Sequence, residues 1–159
     1  MRRVLVTGGA GYIGSACTKR LLDEGHAVVV VDNLSKGKRS LVDDRADFFQ
    51  LDLSKDDLAP LFENGIDAVV HFAAYKAVEE SMEDAVKYSD NITGTTRLLN
   101  EMVRNDVKRI IFSSTAAVYG TPVSAPVDEQ HQTRPESFYG QTKLLAESLL
   151  QWYHRIHGI

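Results

Sequence analysis

The sequence predicts an α/β fold, a doubly wound parallel sheet with helices on both faces. Short runs rich in β-branched residues alternate along the chain with stretches of helical periodicity. The run AVVVVD (27–32) is apolar almost throughout, as is typical of a parallel strand buried on both faces. Strands that alternate with helices favour βαβ units, whose strands lie parallel in one sheet.

Five strands are expected, and the first is followed by a helix from Gly11 to Glu24 that Gly25 ends. The predicted strands are RVLVT (3–7), AVVVVD (27–32), DFFQLDL (47–53), DAVVHF (67–72) and RIIFSS (109–114).

Three further helices connect or follow the later strands. Ser54 is predicted to cap a short helix, with Asp57 as its capping-box partner and Gly65 at its end. The next, long helix is expected to bury one face, made of Ala85, Tyr88, Ile92, Thr95, Leu99 and Met102. The last runs from about Phe138 to His157, and its inward face is expected to hold Leu144, Leu145, Leu149, Trp152 and Ile156.

Composition favours one globular domain over residues 1–159, because 43% of the residues are hydrophobic and 25% are charged. The net charge of −4, without a basic block, argues against a nucleic-acid partner. No apolar stretch reaches the roughly 18 residues that a membrane span needs. Cys17, the single cysteine, is expected to pack as a small apolar side chain and suggests a reducing cytoplasm. The pair His154 and His157 is interpreted as solvated, and no metal site is predicted.

A glycine-rich motif, TGGAGYIGS (7–15), follows the first strand and opens the first helix. Gly8, Gly11 and Gly14 suit a turn that lets a pyrophosphate approach the backbone at a helix N-terminus, although an ordinary tight turn is the alternative. Asp32 follows the second strand, where its carboxylate suits the ribose of NAD and repels the 2′-phosphate of NADP. The basic residues of the segment 36–39 could instead hold such a phosphate, or form a solvated loop.

A second motif, SFYGQTK (137–143), places Tyr139 and Lys143 on one face of the last helix. A neighbouring ammonium stabilises a phenolate, so the pair suits proton transfer. Chance is the alternative for this spacing taken alone. The hydroxyl run Ser113-Ser114-Thr115 ends the fifth strand, so all three features converge where open α/β sheets bind ligands. The connection 120–136 is long and polar, as in lids or disordered segments.

With these residues in place, the sequence resembles the extended short-chain dehydrogenase/reductases and, within them, the UDP-glucose 4-epimerases. The resemblance covers almost the whole chain. It depends on the motifs VTGGAGYIGS, VDNLS, HFAAYKAVEES, DNITGT, FSSTAAVYG and YGQTK, which follow one another in the family's order.

The resemblance implies a role for each matching residue. Tyr139 would be the general base, Lys143 would tune it and hold the nicotinamide ribose, and Thr115 would bind the reacting sugar hydroxyl. A turn-capping hydroxyl is the alternative for Thr115, and a solvent-facing side chain is the alternative for Asn91. The implied NAD site consists of Gly8, Gly11, Tyr12, Ile13, Gly14, Asp32, Asn33, Leu34, Ser35, Asp52, Leu53, Phe72, Ala73, Ala74, Lys76, Asn91, Ser113, Tyr139 and Lys143.

The implied reaction is 4-epimerisation of a UDP-sugar through a transient 4-keto sugar, with NAD taking and returning the hydride. Nucleotide-sugar 4,6-dehydratases resemble this pattern but carry Asp-Glu after the threonine. This chain has Ala116 and Ala117 there, which disfavours dehydration.

The resemblance also implies the strand order 3-2-1-4-5 and an open edge at the fifth strand, which invites association between copies of the chain. Family members continue into a region that grips UDP and sugar, so residues 1–159 are expected to be the cofactor-binding half. Two hypotheses stay open at this point: half of a nucleotide-sugar epimerase or a related enzyme, and an NAD-binding module without turnover.

Overall fold

The structure, a computed structural model, describes residues 1–159 and contains a five-stranded sheet in the order β3-β2-β1-β4-β5. Every neighbouring pair of strands is parallel. The predicted fold class and strand order are therefore confirmed, with strands somewhat shorter than the apolar runs. The strands are β1 (Arg3–Thr7), β2 (Ala27–Val31), β3 (Asp47–Phe49), β4 (Ala68–His71) and β5 (Ile110–Phe112).

Four α-helices surround the sheet: α1 (Tyr12–Asp23), α2 (Val78–Glu83), α3 (Ala85–Arg104) and α4 (Phe138–His157). Gly25 ends the first of them in the left-handed conformation, with φ of 82°, as predicted. The short α2 was not predicted. Asp84 separates it from α3, because its side chain accepts a hydrogen bond from the backbone N–H of Lys87 and so caps a new helix.

The helices pack on both faces of the sheet. On one face, Leu21 and Leu22 of α1 and the side chain of Cys17 pack against a core of strand valines. Burial raises the pKa of the Cys17 thiol, which agrees with its interpretation as a small apolar side chain. On the other face, apolar side chains of α3 and α4 pack against Leu5, Val29, Val31 and Val69.

The predicted helix from Ser54 to Gly65 is wrong. This segment contains only a short 3₁₀ helix, Ala59–Leu61. The two expected capping residues, Ser54 and Asp57, form hydrogen bonds with residues only two positions away instead of capping an α-helix. The hydroxyl and backbone N–H of Ser54 both donate to Oδ1 of Asp52, and Oδ1 of Asp57 accepts from the N–H of Ala59. Leu58, Leu61 and Phe62 of this segment enter the core, and so does Ile66 directly after it.

The predicted inward face of α4 is also partly wrong. Leu145, Trp152 and Ile156 are 40%, 55% and 66% exposed. The buried positions of this helix are Gly140, Thr142, Lys143 and Ala146, so the helix is rotated relative to the expectation and two of its polar side chains face the core.

No helix of the chain has the length and hydropathy that a membrane crossing requires. The connection 120–136 is irregular and mostly exposed, as its polar composition indicated.

Candidate functional site

The predicted site residues lie at one edge of the sheet, where all five parallel strands have their carboxyl ends. Each strand supplies the segment that directly follows it, and α3 and α4 supply three more side chains. The segments are Gly8–Gly14, Asp32–Ser35, Asp52–Leu53, Phe72–Lys76 and Ser113–Thr115, and the helices add Asn91, Tyr139 and Lys143.

The glycine-rich turn between β1 and α1 has no room for a side chain at Gly8 or Gly14. Gly8 has φ of 70°, and a Cβ there would lie 2.7 Å from the backbone N of Ala73. A Cβ on Gly14 would lie 2.2 Å from the carbonyl oxygen of Gly8, so only glycine lets α1 begin this close to the strand. Gly11 is the N-cap of α1, and the side chains of Tyr12 and Ile13 are mostly exposed beside it. The first N–H groups of α1 therefore face the edge of the sheet, as in sites for anionic groups.

Asp32 is fixed by backbone N–H groups on both sides of its carboxylate. Oδ2 accepts from the N–H of Ala10 at 3.1 Å, and Oδ1 accepts from the N–H of Leu34 at 2.8 Å. Leu34 takes φ of 60° to make this contact. A Cβ on Gly37 would lie 2.9 Å from Oδ1, so this glycine, which lies outside every predicted motif, lets the loop close over the carboxylate.

Asn33 and Asp52 join the segments that follow β2 and β3. Nδ2 of Asn33 donates to Oδ2 of Asp52 at 3.0 Å, and Oδ1 of Asn33 accepts from the N–H of Ser35. Burial disfavours the Asp52 carboxylate, but the hydrogen bonds from Ser54 and Asn33 outweigh it and hold its pKa below the ordinary value. Leu53 is buried among the core side chains.

The segment after β4 is held by the neighbouring strand and by α3. The N–H of Ala73 donates to Oγ1 of Thr7 at 3.2 Å, and Phe72 and Ala74 on either side are half-buried. Asn91, buried in α3, accepts from the N–H of Tyr75 and donates to its carbonyl oxygen. The alternative of a solvent-facing Asn91 is therefore wrong. Lys76 lies exposed beyond this turn.

The N-terminal turn of α4 carries Tyr139 and is fixed by two serines. Ser137 caps the helix, since its Oγ accepts from the N–H of Gly140 at 3.1 Å. Oγ of Ser81, in α2, accepts from the N–H of Tyr139 at 3.0 Å. Thr142 donates to the carbonyl oxygen of Tyr139 and accepts from Nδ2 of Asn91. The ring of Tyr139 is half-buried. Its backbone is held directly by Ser81 of α2 and Thr142 of α4, and Asn91 of α3 fixes Thr142 in turn.

Lys143 is 4% exposed and points along β5. Its Nζ donates to the carbonyl oxygen of Ser113 at 2.9 Å and lies 4.6 Å from the ring centroid of Phe112. Burial lowers the pKa of Lys143 to about 8, a shift that the charge of Glu147 opposes. At neutral pH the ammonium is therefore still the main form, in a place that favours a nearby negative charge.

Thr115 follows β5 and makes the contact that was its alternative interpretation. Its Oγ1 accepts from the N–H of Ala117 at 3.2 Å and caps the 3₁₀ turn Ala116–Val118. A hydroxyl that accepts one hydrogen bond can still donate its proton, so capping does not exclude contact with a substrate.

Several side chains that hold the site were not predicted. Ser81 and Thr142 fix the backbone of Tyr139, and Thr7 fixes that of Ala73. His71 is buried between two threonines at the end of β4. Thr7 and His71 belong to apolar runs, which was the available signal for them. Ser81 and Thr142 lie among polar residues, and the sequence does not tell which backbone groups they meet.

The sequence matches the NAD dependent epimerase/dehydratase family over residues 4–159. The UDP-glucose 4-epimerase of Halalkalibacterium halodurans is 43% identical over 98% of this chain and 47% of its own length. The enzyme of the same name from Streptococcus mutans is 46% identical over 98% of the chain and 48% of its own length. The chain thus spans about half the length of these curated relatives.

Solved structures give the same assignment. The UDP-glucose 4-epimerase from Brucella ovis in complex with NAD is 41% identical, with a TM-score of 0.95 over 100% of this chain and 50% of that one. The UDP-glucose 4-epimerase from Thermotoga maritima with UDP-glucose is 35% identical, with a TM-score of 0.94 over 99% of this chain and 52% of that one. Since the family model matches residues 4–159 and the two solved folds cover nearly the whole chain, the chain belongs to the NAD dependent epimerase/dehydratase family.

Proposed function

We propose that residues 1–159 form the NAD-binding domain of a nucleotide-sugar epimerase that interconverts UDP-glucose and UDP-galactose. The observation that carries this proposal is the convergence of two sets of residues at one edge of the sheet. The glycine turn and Asp32 suit a dinucleotide, and Tyr139, Lys143 and Thr115 suit proton transfer at a sugar hydroxyl.

The residues present fit NAD. Gly8 and Gly14 pack so closely against the backbone of Ala73 and of the turn itself that a Cβ would displace the turn, and α1 begins directly after it with its free N–H groups. The Asp32 carboxylate suits the adenosine ribose and disfavours a 2′-phosphate. Arg39, one candidate for holding such a phosphate, lies with its guanidinium 4.8 Å from the ring centroid of Phe48. When bound, NAD would supply the hydride acceptor and donor that 4-epimerisation requires.

The protein residues would handle the proton. Tyr139 would take it from the sugar 4-hydroxyl and return it, and the Lys143 ammonium would stabilise the phenolate. The hydroxyl of Thr115 would donate a hydrogen bond to the sugar oxygen while it accepts a hydrogen bond from the N–H of Ala117. Ala116 and Ala117 offer no acid for water elimination, which favours epimerisation over dehydration.

A chimera tests this proposal without depending on where the chain ends. Residues 1–159 would replace the matching part of the H. halodurans enzyme, which is 43% identical. We expect the chimera to convert UDP-galactose to UDP-glucose and the Tyr139→Phe chimera to lose at least about 100-fold in rate, as general base catalysis contributes about 10²–10⁴-fold. Tyr153→Phe, at a distant tyrosine of the same helix, is the control. A folded, NAD-loaded chimera without turnover would contradict the proposal.

The second candidate is an NAD-binding module without turnover, because the glycine turn and Asp32 suit a dinucleotide whether or not Tyr139 acts as a base. Calorimetry of the 159-residue chain with NAD and the chimera assay separate the two, since a module binds NAD and yields an inactive chimera. From the sequence we also propose that the chain associates with copies of itself and that it is located in the cytoplasm.

A further inference from the structure

Two consecutive residues after β5 form hydrogen bonds with α4. Their partners on the helix lie one turn apart. The carbonyl oxygen of Ser113 accepts from Nζ of Lys143 at 2.9 Å. The hydroxyl of Ser114 donates to Oε1 of Glu147. Lys143 and Glu147 are four residues apart on α4, so their side chains lie on the same face. The end of β5 is therefore held at two points by an ammonium and a carboxylate.

A third contact continues this line towards the N-terminus of α4. A Cβ on Gly140 would lie 2.7 Å from the carbonyl oxygen of Ala117, so the helix packs directly on the turn that Thr115 caps. The three levels of contact fix the register between the strand end with Thr115 and the helix turn with Tyr139.

We propose that Glu147 is a positioning residue, which fixes the strand end carrying Thr115 through Ser114 and places a carboxylate on the same helix face as the buried Lys143 ammonium. This inference rests on the proposed function for its role in the reaction, but its electrostatic part concerns the chain alone. Glu147 would act through Ser114 and Lys143 and would not touch the substrate.

The charges around Lys143 support this role. Behind the ring of Phe112 lies His71, which is buried and neutral near pH 7, because burial and the Lys143 charge lower its pKa to about 3. Tyr139 lies one turn earlier on α4. The Glu147 carboxylate is thus the negative charge that offsets the burial of Lys143.

Two conservative variants separate the hydrogen bond from the charge. Glu147→Gln keeps an acceptor for Ser114 and removes the charge, and Ser114→Ala keeps the charge and removes the hydrogen bond. Glu63→Gln changes the net charge equally at an exposed, distant position and is the control. The ¹³Cε resonance of Lys143 is followed against pH in the 159-residue chain without ligands, with thermal melts as a folding check.

We expect Glu147→Gln to lower the Lys143 midpoint by at least about 0.5 pH unit, as a nearby opposite charge can shift a pKa by about 1–3 units. Ser114→Ala should shift the Lys143 midpoint less, and Glu63→Gln should leave that midpoint unchanged. Equal midpoints in Glu147→Gln and the parent chain would overturn the inference. Because no substrate or cofactor is present, this result does not depend on the proposed function.

The same variants in the chimera test the positioning role. Ser114→Ala should lower kcat at least about fivefold with little change in KM, because a small misplacement of reacting groups slows the chemical step. Glu147→Gln should also move the pH profile of kcat, which a loss of packing alone would not do. Unchanged kcat in both variants of an active chimera would overturn the positioning role, and an inactive parent chimera would contradict the proposed function instead.

Discussion

Oγ1 of Thr7 lies 2.6 Å from Nδ1 of His71 and joins the ends of β1 and β4 beneath the glycine turn. Oγ1 of Thr7 also accepts from the N–H of Ala73, and a hydroxyl that accepts one hydrogen bond can still donate its proton. On the other side, Thr95 donates to the carbonyl oxygen of Asn91 at 2.7 Å and leaves its oxygen to accept from Nε2 of His71 at 3.0 Å. These contacts assign the proton of the neutral imidazole to Nε2.

We expect His71 to stay neutral, with its proton on Nε2, at pH 5, where exposed histidines are charged. Burial and the Lys143 ammonium lower its pKa to about 3. Imidazole ¹⁵N shifts of the folded chain check this, with the exposed His157 as internal control. A protonated His71 at pH 5, or a proton on Nδ1, would contradict the hydrogen-bond assignment.

The low pKa of His71 also makes the stability of the chain depend on pH. The folded state resists protonating His71, whereas the unfolded chain binds a proton near the ordinary histidine pKa of 6.5. The contribution of His71 to stability is therefore present above pH 6.5 and is lost as the pH falls from there towards 3.

The fold was predictable because its information is local. Buried strands such as AVVVVD and the alternation with helical stretches determine a doubly wound sheet, and the motifs at the strand ends locate the site. The failures have a common physical cause. Ser54 does not cap a helix, because its hydroxyl donates to the preceding Asp52. Helix α4 buries Lys143 and exposes Trp152. Both outcomes depend on contacts that side-chain spacing does not encode. The same applies to Ser81 and Thr7, whose partners are backbone groups far along the chain.

Asp32 is expected to make the chain prefer NAD over NADP. Its carboxylate is fixed by Ala10 and Leu34 at the end of β2, where the proposed function places the ribose of NAD. Asp32→Asn keeps one of the two acceptor oxygens and removes the charge. The lost N–H contact should weaken the binding of both cofactors, but the ratio of the two dissociation constants should still narrow at least about fivefold because the charge that repels the 2′-phosphate is gone. Calorimetry with both cofactors measures it. Tighter binding of NADP by the parent chain would refute the assignment.

Gly14→Ala is expected to abolish NAD binding by displacing the glycine turn. Its Cβ would lie 2.2 Å from the carbonyl oxygen of Gly8 and 2.8 Å from Cα of Gly9, and neither backbone atom can yield without moving the turn. Overpacking of this kind costs about 1–3 kcal/mol of unfolding free energy. Urea denaturation and NAD calorimetry measure the two effects.

Gly65→Ala is the matched control for that substitution. Its φ is 72° and nothing lies within 4 Å of the added Cβ. A left-handed backbone costs a non-glycine residue about 1–2 kcal/mol. This variant should therefore lose stability while its NAD affinity is unchanged. A Gly14→Ala chain that binds NAD as tightly as the control would contradict the claim that the glycine turn is needed for NAD binding.

We expect the 159-residue chain to associate through the open edge of β5. Ile111 is 68% exposed on this edge strand, and exposed edges pair with other chains. Ile111→Lys should raise the concentration at which sedimentation detects dimers. Trp152→Lys, on the exposed face of α4, is the comparison. If only the Trp152 variant becomes monomeric, association uses the helix face and the edge prediction is wrong.

Burial of the Lys143 ammonium is expected to cost stability that alkaline pH restores. The pKa of Lys143 is lowered from 10.5 to about 8 in the folded chain, so below pH 8 the fold carries the full cost of a buried ammonium. Between pH 8 and 10.5 the unfolded chain binds more protons than the folded one, and stability rises with pH across this window. Relative to Lys143→Met, the parent should therefore gain about 3 kcal/mol from pH 8 to 10.5, because a pKa that differs by one between the folded and unfolded chain corresponds to about 1.4 kcal/mol.

Urea denaturation at several pH values measures this difference, and Lys38→Met removes an equal charge at the surface as control. The free energy of unfolding of the control should differ from that of the parent by the same amount at every pH in the window. If the difference in unfolding free energy between the parent and Lys143→Met stays constant above pH 8, the Lys143 ammonium is solvated. The charged contact with Ser113 would then not hold the end of β5.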